Sequence, residues 1–276
     1  MSTFGKMFFG KFLLFIQYSY SCGILIKIYV KKGNEIMFYE EKMKASVEDF
    51  GKDARLTERS ILKFLENIGA YHSDLVGYGA LDIPRTGISW ILLEWKVEIL
   101  RYPTYGEYFY VKTWSRGVST PFTTYRDYEI YAENGEKLVI ASAKWTAVNV
   151  LEKKIEQLTG EMLDRYETEE AHVFAEKEIL RQKEPTSYEA EMTFRARRHE
   201  IDLNGHVHNL CYLDFALDIL PCDVYEMRDF RHIRVTYRKE IKANEKITCK
   251  YHGEDGAHIV GIYGGDGKLR AIVHLS

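Results

Sequence analysis

The same order of elements is written twice along this 276-residue chain. A short strand, one long helix and an antiparallel run of strands occur in the first half and again in the second. A sheet with one long helix across a face has an apolar side to cover, and such units usually bury it against a twin. Two copies in one chain therefore point to an internal pseudo-dimer of α+β units rather than one mixed domain. In the first copy a strand near Phe38–Ala45 leads to a helix near Thr57–His72. Thr57 is its expected N-cap, and Ile61, Leu62, Leu65 and Ile68 form an apolar stripe at helical spacing. Strands are expected over Trp90–Arg101, Glu107–Arg116, Phe122–Ala132 and Lys137–Leu151. Residues 102–106 and the Asn134-Gly135 hairpin signal separate them. In the second copy Glu191–Arg198 alternates as a strand does, and Val207–Leu220 is a helix stopped by Pro221. Strands follow near Arg231–Ile241, Lys246–His252, Ala257–Tyr263 and Lys268–Leu275.

The expected organisation is a leader (1–36), an N-terminal domain (37–151), a charged, partly helical surface connector (152–187) and a C-terminal domain (188–276). With 46 % hydrophobic residues either domain can bury a core, and a net charge of −3 offers no global attraction for nucleic acid or anionic membrane. Cys22, Cys211, Cys222 and Cys249 show no CxxC spacing, which reads as reduced thiols in a cytoplasmic protein. The leader stretch Phe12–Val30 is apolar but broken by Gln17, Tyr18, Ser19, Tyr20, Ser21 and Lys27. It fits neither a spanning helix nor a signal peptide. Met37 is the expected start of the domain, and residues 1–36 read as a mis-called extension or a weak anchor.

The strongest chemical signal is His199-Glu200-Ile201-Asp202-Leu203-Asn204-Gly205-His206-Val207-His208. Asp202, Asn204 and His206 recur at every second residue, so an extended segment would present all three on one face. That segment would deliver them to the first turn of the following helix. Free N–H groups and the positive end of the helix dipole can bind a carbonyl oxygen there as it gains charge. A carboxylate and an imidazole beside it can position water and move protons. Spacing alone leaves other readings open: Asp202 and Asn204 as helix caps, a metal site from His199, His206, His208 and Asp202, or Cys211 as a nucleophile.

Asp202-x-Asn204 followed by His206-Val207-x-Asn209-x-x-Tyr212 resembles the active-site segment of acyl-acyl carrier protein thioesterases, plant plastid enzymes and their bacterial relatives. Tyr237-Arg238-Lys239-Glu240 looks like that family's Tyr-Arg-basic-Glu segment. In the first copy, Trp90-Ile91-Leu92, Arg101 to Glu107 and Val111-Lys112-Thr113-Trp114 are similar to its strand-and-hairpin signature. The resemblance implies a tandem double hot-dog fold and a catalytic set of Asp202, Asn204, His206 and Glu240, with no cofactor and no metal. It implies hydrolysis of a fatty acyl chain carried on the phosphopantetheine of acyl carrier protein, with the chain held in the first unit. Homodimer formation is left open. Two positions depart from the family pattern: His208 stands for the first of a usual Asn-Asn pair, and Ile241 stands where plant members often carry Cys. Glu240, alternating with Arg238 on a strand, would activate water, or Asp202 would attack directly. Asn204 would orient a carboxylate or donate to the carbonyl, and His206 would shuttle the proton. Arg195, Arg197 and Arg198, or Arg228, Arg231 and Arg234, are candidates for docking the acidic carrier. An acyl-coenzyme A thioesterase and a non-catalytic acyl-binding hot-dog protein are the alternatives.

Overall fold

A computed structural model describes residues 3–9, 12–19, 25–32, 35–227 and 230–276, with side chains from Phe38 onward. The chain divides into two units: residues up to 91 together with 100–178, and residues 92–99 together with 179–276. The elements of the first part are β1 (Thr3–Phe9), β2 (Phe12–Ser19), β3 (Leu25–Lys32), β4 (Glu35–Lys44), α1 (Glu58–Val76) and α2 (Ile83–Thr86). They continue with β5 (Ile88–Ile99), β6 (Tyr108–Thr120), β7 (Thr123–Ala132), β8 (Lys137–Asn149), β9 (Lys154–Glu156) and α3 (Gly160–Tyr166). Then come β10 (Ala190–Arg195), α4 (Asn209–Ile219), α5 (Cys222–Met227), β11 (His232–Tyr237), β12 (Lys246–Glu254), β13 (Ala257–Tyr263) and β14 (Leu269–Leu275).

In the first unit β1-β2-β3-β4-β6-β7-β8 form an antiparallel sheet, with β9 on β8. The leader thus supplies strands, and β3 pairs with β4 through Val30↔Phe38. Among the described residues no helix is long and apolar enough to cross a membrane. Helix α1 packs against the sheet with Ile61, Leu62, Leu65 and Ile68 fully buried, the expected stripe. Its Thr57 cap accepts from Ser60 N. It runs one turn past the expected end because Asp74-Leu75-Val76 can still be helical. Gly77 stops it with a left-handed φ of 82°, as Tyr78 N reaches Ser73 O.

The second unit orders the Leu92–Ile99 part of β5 with β11-β14-β13-β12-β10, all antiparallel. Helix α4 lies on this sheet, burying Leu210, Leu213, Phe215 and Ala216. A helix packed on an antiparallel sheet therefore occurs twice, the tandem hot-dog architecture.

The connector departs from expectation. It is not wholly a surface segment: Leu158, Met162, Tyr166 and Phe174 are buried, and Leu158 and Met162 join Ile88 and Ala147 in one core cluster. Charged neighbours masked those apolar positions, which recur at i and i+4 on an amphipathic turn. Trp114 Nε1 donates to Ala171 O (2.8 Å), and Val173 N donates to the buried Asp127 carboxylate (3.0 Å), tying the connector down.

Before α1, the buried Asp49 carboxylate accepts from Ser46 N and the Ser60 hydroxyl and pairs with Lys63. Burial raises its pKa, but Lys63 and the two hydrogen bonds outweigh that and hold it below the ordinary carboxylate value. A depressed folded pKa contributes stability above the unfolded pKa, lost as pH falls through the folded one. Asp49→Asn is expected to cost about 1.5–3 kcal/mol near neutral pH. In urea melts against pH, that gap between variant and wild type should close below about pH 4. A gap independent of pH would show that the charge is not what stabilises.

Candidate active site

Residues 202–206 form a tight turn, not an extended segment. Asp202 N donates to His206 O (2.8 Å), and Gly205 N donates to Asp202 O (3.1 Å). Gly205 sits at φ 78°, as the last residue of a three-residue hairpin loop requires. The Asp202 Oδ1 accepts from both Asn204 N (2.8 Å) and His206 N (3.1 Å), the short-range capping that aspartate provides in turns. Alternation therefore does not hold over 202–206; the turn instead draws the backbone N–H groups of Asn204 and His206 to the Asp202 carboxylate. The signal was present: Asn204-Gly205 is the same hairpin dipeptide as Asn134-Gly135.

The turn leads into α4 through His208, whose Nδ1 accepts from Leu210 N (3.2 Å). His208, not Asp202 or Asn204, caps the helix. The helix begins at Asn209, two residues later than periodicity suggested, because Val207 is occupied in pairing: its N–H donates to Ile241 O (2.8 Å), and His206 bridges Lys242. These bonds bring the turn alongside the Glu240 segment.

Glu240 does not lie on a strand. β11 ends at Tyr237, and the N–H groups of Arg238 (2.7 Å) and Lys239 (3.3 Å) both donate to Arg270 O. Two donors on one carbonyl make a bulge, which breaks alternation and re-aims the following residues. The segment is then pinned to α4: Tyr237 donates to Asn209 O (3.1 Å), and Ile241 N donates to the Tyr212 hydroxyl (3.1 Å). Burial first, and the Glu240 carboxylate next among the groups acting upward, push the Tyr212 phenol up. Glu240 therefore lies near the first turns of α4, exposed to solvent. No hydrogen bond joins the side chains of Asp202, Asn204, His206 and Glu240 to one another.

The first unit repeats the backbone bonds of this scaffold. Gly51 N donates to Arg55 O and Ala54 N to Gly51 O; Leu56 N donates to Pro103 O, and Arg55 bridges Thr104. Leu100 N and Arg101 N both donate to Leu138 O, the same bulge. Glu107 accepts from Thr104 N at 3.0 Å as Glu245 accepts from Lys242 N at 3.0 Å. By this register Gly51, Asp53, Arg55 and Tyr102 occupy the places of Asp202, Asn204, His206 and Glu240. The Tyr102 hydroxyl reaches Glu58, the first residue of α1 (2.9 Å), so the bulge aims this position at a helix amino end. The turn forms with glycine where Asp202 stands, so the Asp202 carboxylate is not what folds it.

Ala54, the counterpart of Gly205, takes φ 59°. A left-handed alanine costs roughly 1–2 kcal/mol, so Ala54→Gly is expected to stabilise the first unit by about 1 kcal/mol. Gly205→Ala, whose added Cβ would meet nothing within 4 Å, should destabilise the second by a similar amount. Amide exchange in each unit checks both; equal protection in variant and wild type would remove backbone strain as the cause.

The remaining sequence readings resolve locally. Cys211 is buried, with its Sγ toward Glu200 O (3.9 Å), a packing role. Among the described residues no group of three or more His, Cys, Asp or Glu side chains is arranged to hold a metal ion. Arg197 and Arg198 are exposed, Arg195 bonds Asn244 O (2.9 Å), and Arg234 is tied to Glu94 (2.8 Å). Arg228 and Cys22 lie outside the described residues.

Sequence profiles of the acyl-ACP thioesterase N-terminal and C-terminal domains match residues 37–166 and 183–263. The chain is 23 % identical over 262 residues to oleoyl-acyl carrier protein thioesterase 1, chloroplastic, of Arabidopsis thaliana, covering 86 % of this chain and 72 % of the plant protein. Against the oleoyl-acyl carrier protein thioesterase of Coriandrum sativum it is 22 % identical and covers 76 % of this chain and 61 % of that one. The fold is similar to an acyl-ACP thioesterase from Bacteroides thetaiotaomicron, with a TM-score of 0.77 at 21 % identity over 86 % of this chain and 96 % of that one. It is also similar to the 12:0-ACP thioesterase from Umbellularia californica, with a TM-score of 0.77 at 15 % identity over 87 % and 96 %. At these identities the structural likeness speaks for the fold.

Proposed function

This chain belongs to the acyl-ACP thioesterase family, matched in both its domains, and from that membership we infer that it is a thioester hydrolase. It releases free fatty acid and carrier protein from fatty acyl-ACP, ending fatty acid synthesis. The assignment of its chemistry to Asp202, Asn204, His206 and Glu240 rests on one observation. Two copies of one turn-and-bulge scaffold exist, and only the second carries two carboxylates, an amide and an imidazole at the corresponding places.

A thioester is an activated ester, so the site needs oxyanion stabilisation and one activated nucleophile more than strong leaving-group help. Solvent-facing Glu240 takes a proton from water as the water attacks the carbonyl. The positive end of α4 and the Asn204 amide stabilise the oxyanion. Asp202, oriented by two backbone N–H groups, positions His206, which passes a proton to the departing pantetheine sulfur and regains one from Glu240 through solvent. The acyl chain lies in the first unit between α1 and its sheet. The carrier docks on Arg195, Arg197 and Arg198, all three exposed, whereas in the other group Arg231 is exposed but Arg234 is engaged by Glu94. Homodimer formation is not required by this arrangement. Two relatives carry a chloroplastic location in their names; for this chain we place the activity in a reducing compartment, the cytoplasm, where Cys211, Cys222 and Cys249 stay free thiols.

Hydrolysis of one acyl chain on carrier protein and on coenzyme A, measured side by side, tests the reading. The carrier-linked kcat/KM is expected to be at least about tenfold higher, a difference of roughly 1.4 kcal/mol. Equal values would make the chain an acyl-coenzyme A thioesterase, and no turnover of either would make it a binding protein.

A further inference from the structure

The Glu240 side chain faces solvent, and among the described residues no hydrogen bond holds its carboxylate. Where that carboxylate stands is therefore set by the backbone on either side of it. On one side Lys239 N shares the Arg270 carbonyl with Arg238 N, at the longer 3.3 Å. On the other, the peptide joining Glu240 to Ile241 is held by a side chain: Ile241 N donates to the Tyr212 hydroxyl at 3.1 Å. Ile241 and Tyr212 are both buried, so solvent is no ready substitute for that oxygen, and a buried N–H left without an acceptor is costly.

Tyr212 is itself fixed. It lies within the first turns of α4, and its ring is met edge-on by Tyr237 at 5.3 Å. Tyr237 in turn donates to Asn209 O at 3.1 Å. The helix whose amino end stabilises the oxyanion thereby also carries the anchor of the base.

The first unit lacks this anchor and has no need of one. Leu56 pairs with Pro103 as Val207 pairs with Ile241, so by the same register Ile61 stands in the place of Tyr212 and Pro103 in the place of Ile241. Proline has a fixed φ and no N–H to satisfy, and an apolar Ile61 leaves nothing unpaired. Tyr102, in the place of Glu240, is held by its own hydroxyl on Glu58 at 2.9 Å. Hydroxyl acceptor and free N–H thus occur together in the unit that carries the carboxylates, and both are missing from the other.

We propose that Tyr212 is a positioning residue for the hydrolysis: by accepting the Ile241 N–H, its hydroxyl fixes the peptide that follows Glu240 and holds this base in reach of the water it activates. This rests on the assignment of the base to Glu240 and adds what keeps that base in place. Packing alone would need the ring and not the oxygen, because a phenylalanine makes the same edge-on contact with Tyr237.

Tyr212→Phe keeps the ring and removes the acceptor. With acyl-ACP its kcat is expected to fall about 10–100-fold, the scale of an ångström's misplacement, while KM stays within about twofold of wild type. On a Glu240→Gln background the same change is expected to cost less than about twofold, since residues that act as one unit are not additive. Tyr212→Phe combined with Ile241→Pro rebuilds the pair found in the first unit and leaves no N–H unpaired. That double variant is expected to recover kcat to within about threefold of wild type. Amide exchange over α4 and β11–β14 shows which variants are folded, and Ile241 N–H itself should exchange faster in Tyr212→Phe. A folded Tyr212→Phe at the wild-type rate, or one whose loss is as large on Glu240→Gln, would overturn the inference and leave Glu240 as the base. A folded double variant still about tenfold or more below wild type would overturn it too, and this variant decides if Tyr212→Phe alone does not fold. Wild type without turnover, or Glu240→Gln at the full rate, would instead refute the reading beneath the inference and take the inference with it.

Discussion

Replacing Asp202 by glycine is expected to lower turnover of acyl-ACP by about 10²–10⁴-fold, the span associated with a positioned acid or base, while the second unit keeps its fold. The expectation of intact folding comes from the protein itself: Gly51 holds the corresponding place in the first unit, and the same two backbone hydrogen bonds close that turn. What glycine loses is a carboxylate that draws Asn204 N and His206 N to one oxygen. Those bonds add at most about 1–2 kcal/mol of local order. Glu240→Gln should give a loss of the same size, since it removes the base and keeps the shape. The informative measurement is kcat/KM beside the unfolding midpoint and amide protection of residues 201–212. If both variants turned over at near wild-type rates while folded, the assignment of chemistry to this scaffold would fall. If Asp202→Gly unfolded α4, the carboxylate would be structural, and the kinship between the two turns would be misleading.

Leu65→Ala carries the largest expected stability change. Leu65 is fully buried on α1, and large-to-small replacements at such sites cost about 2–5 kcal/mol through lost transfer energy plus the cavity left behind. Because the chain holds two units, a single melting temperature blends two transitions. Amide exchange along α1 and β6–β8 is the proper readout, with β11–β14 as the internal reference. If the acyl chain lies beneath α1 as proposed, the cavity lies beside it, and longer chains should gain relative to shorter ones, by up to roughly 0.8 kcal/mol for each methylene newly accommodated. Loss of protection confined to the second unit would contradict the division of the chain. An unchanged chain-length profile in a folded variant would argue against an acyl chain beneath α1.

Much of the architecture was legible along the chain because it depends on local pattern. The Ile61, Leu62, Leu65, Ile68 stripe, the Thr57 cap, Asn134-Gly135 and the boundaries of β13 follow from periodicity and turn chemistry, which neighbouring residues settle among themselves. Leu158 and Met162 were hidden among charges because burial of a short amphipathic turn depends on what it packs against. The candidate residues Asp202, Asn204, His206 and Glu240 were legible by type and by their resemblance to a family, but their arrangement was not. Strict alternation put three on one face and Glu240 on a strand. The folded chain instead makes a hairpin turn at 202–206 and a bulge at Arg238-Lys239, because the Arg270 carbonyl accepts two donors and breaks the period of two.

By itself the sequence determined the duplication, the helix-on-sheet order of each copy and the residue types available for chemistry, since these need only neighbours in the chain. Tertiary structure alone decided which carbonyl each backbone N–H would find. It thereby decided that residues 206–207 lie beside 241–242 and that Tyr212 and Tyr237 clamp the Glu240 segment to α4. The reason is physical: hydrogen bonds between residues 28 or more positions apart depend on where the whole chain closes.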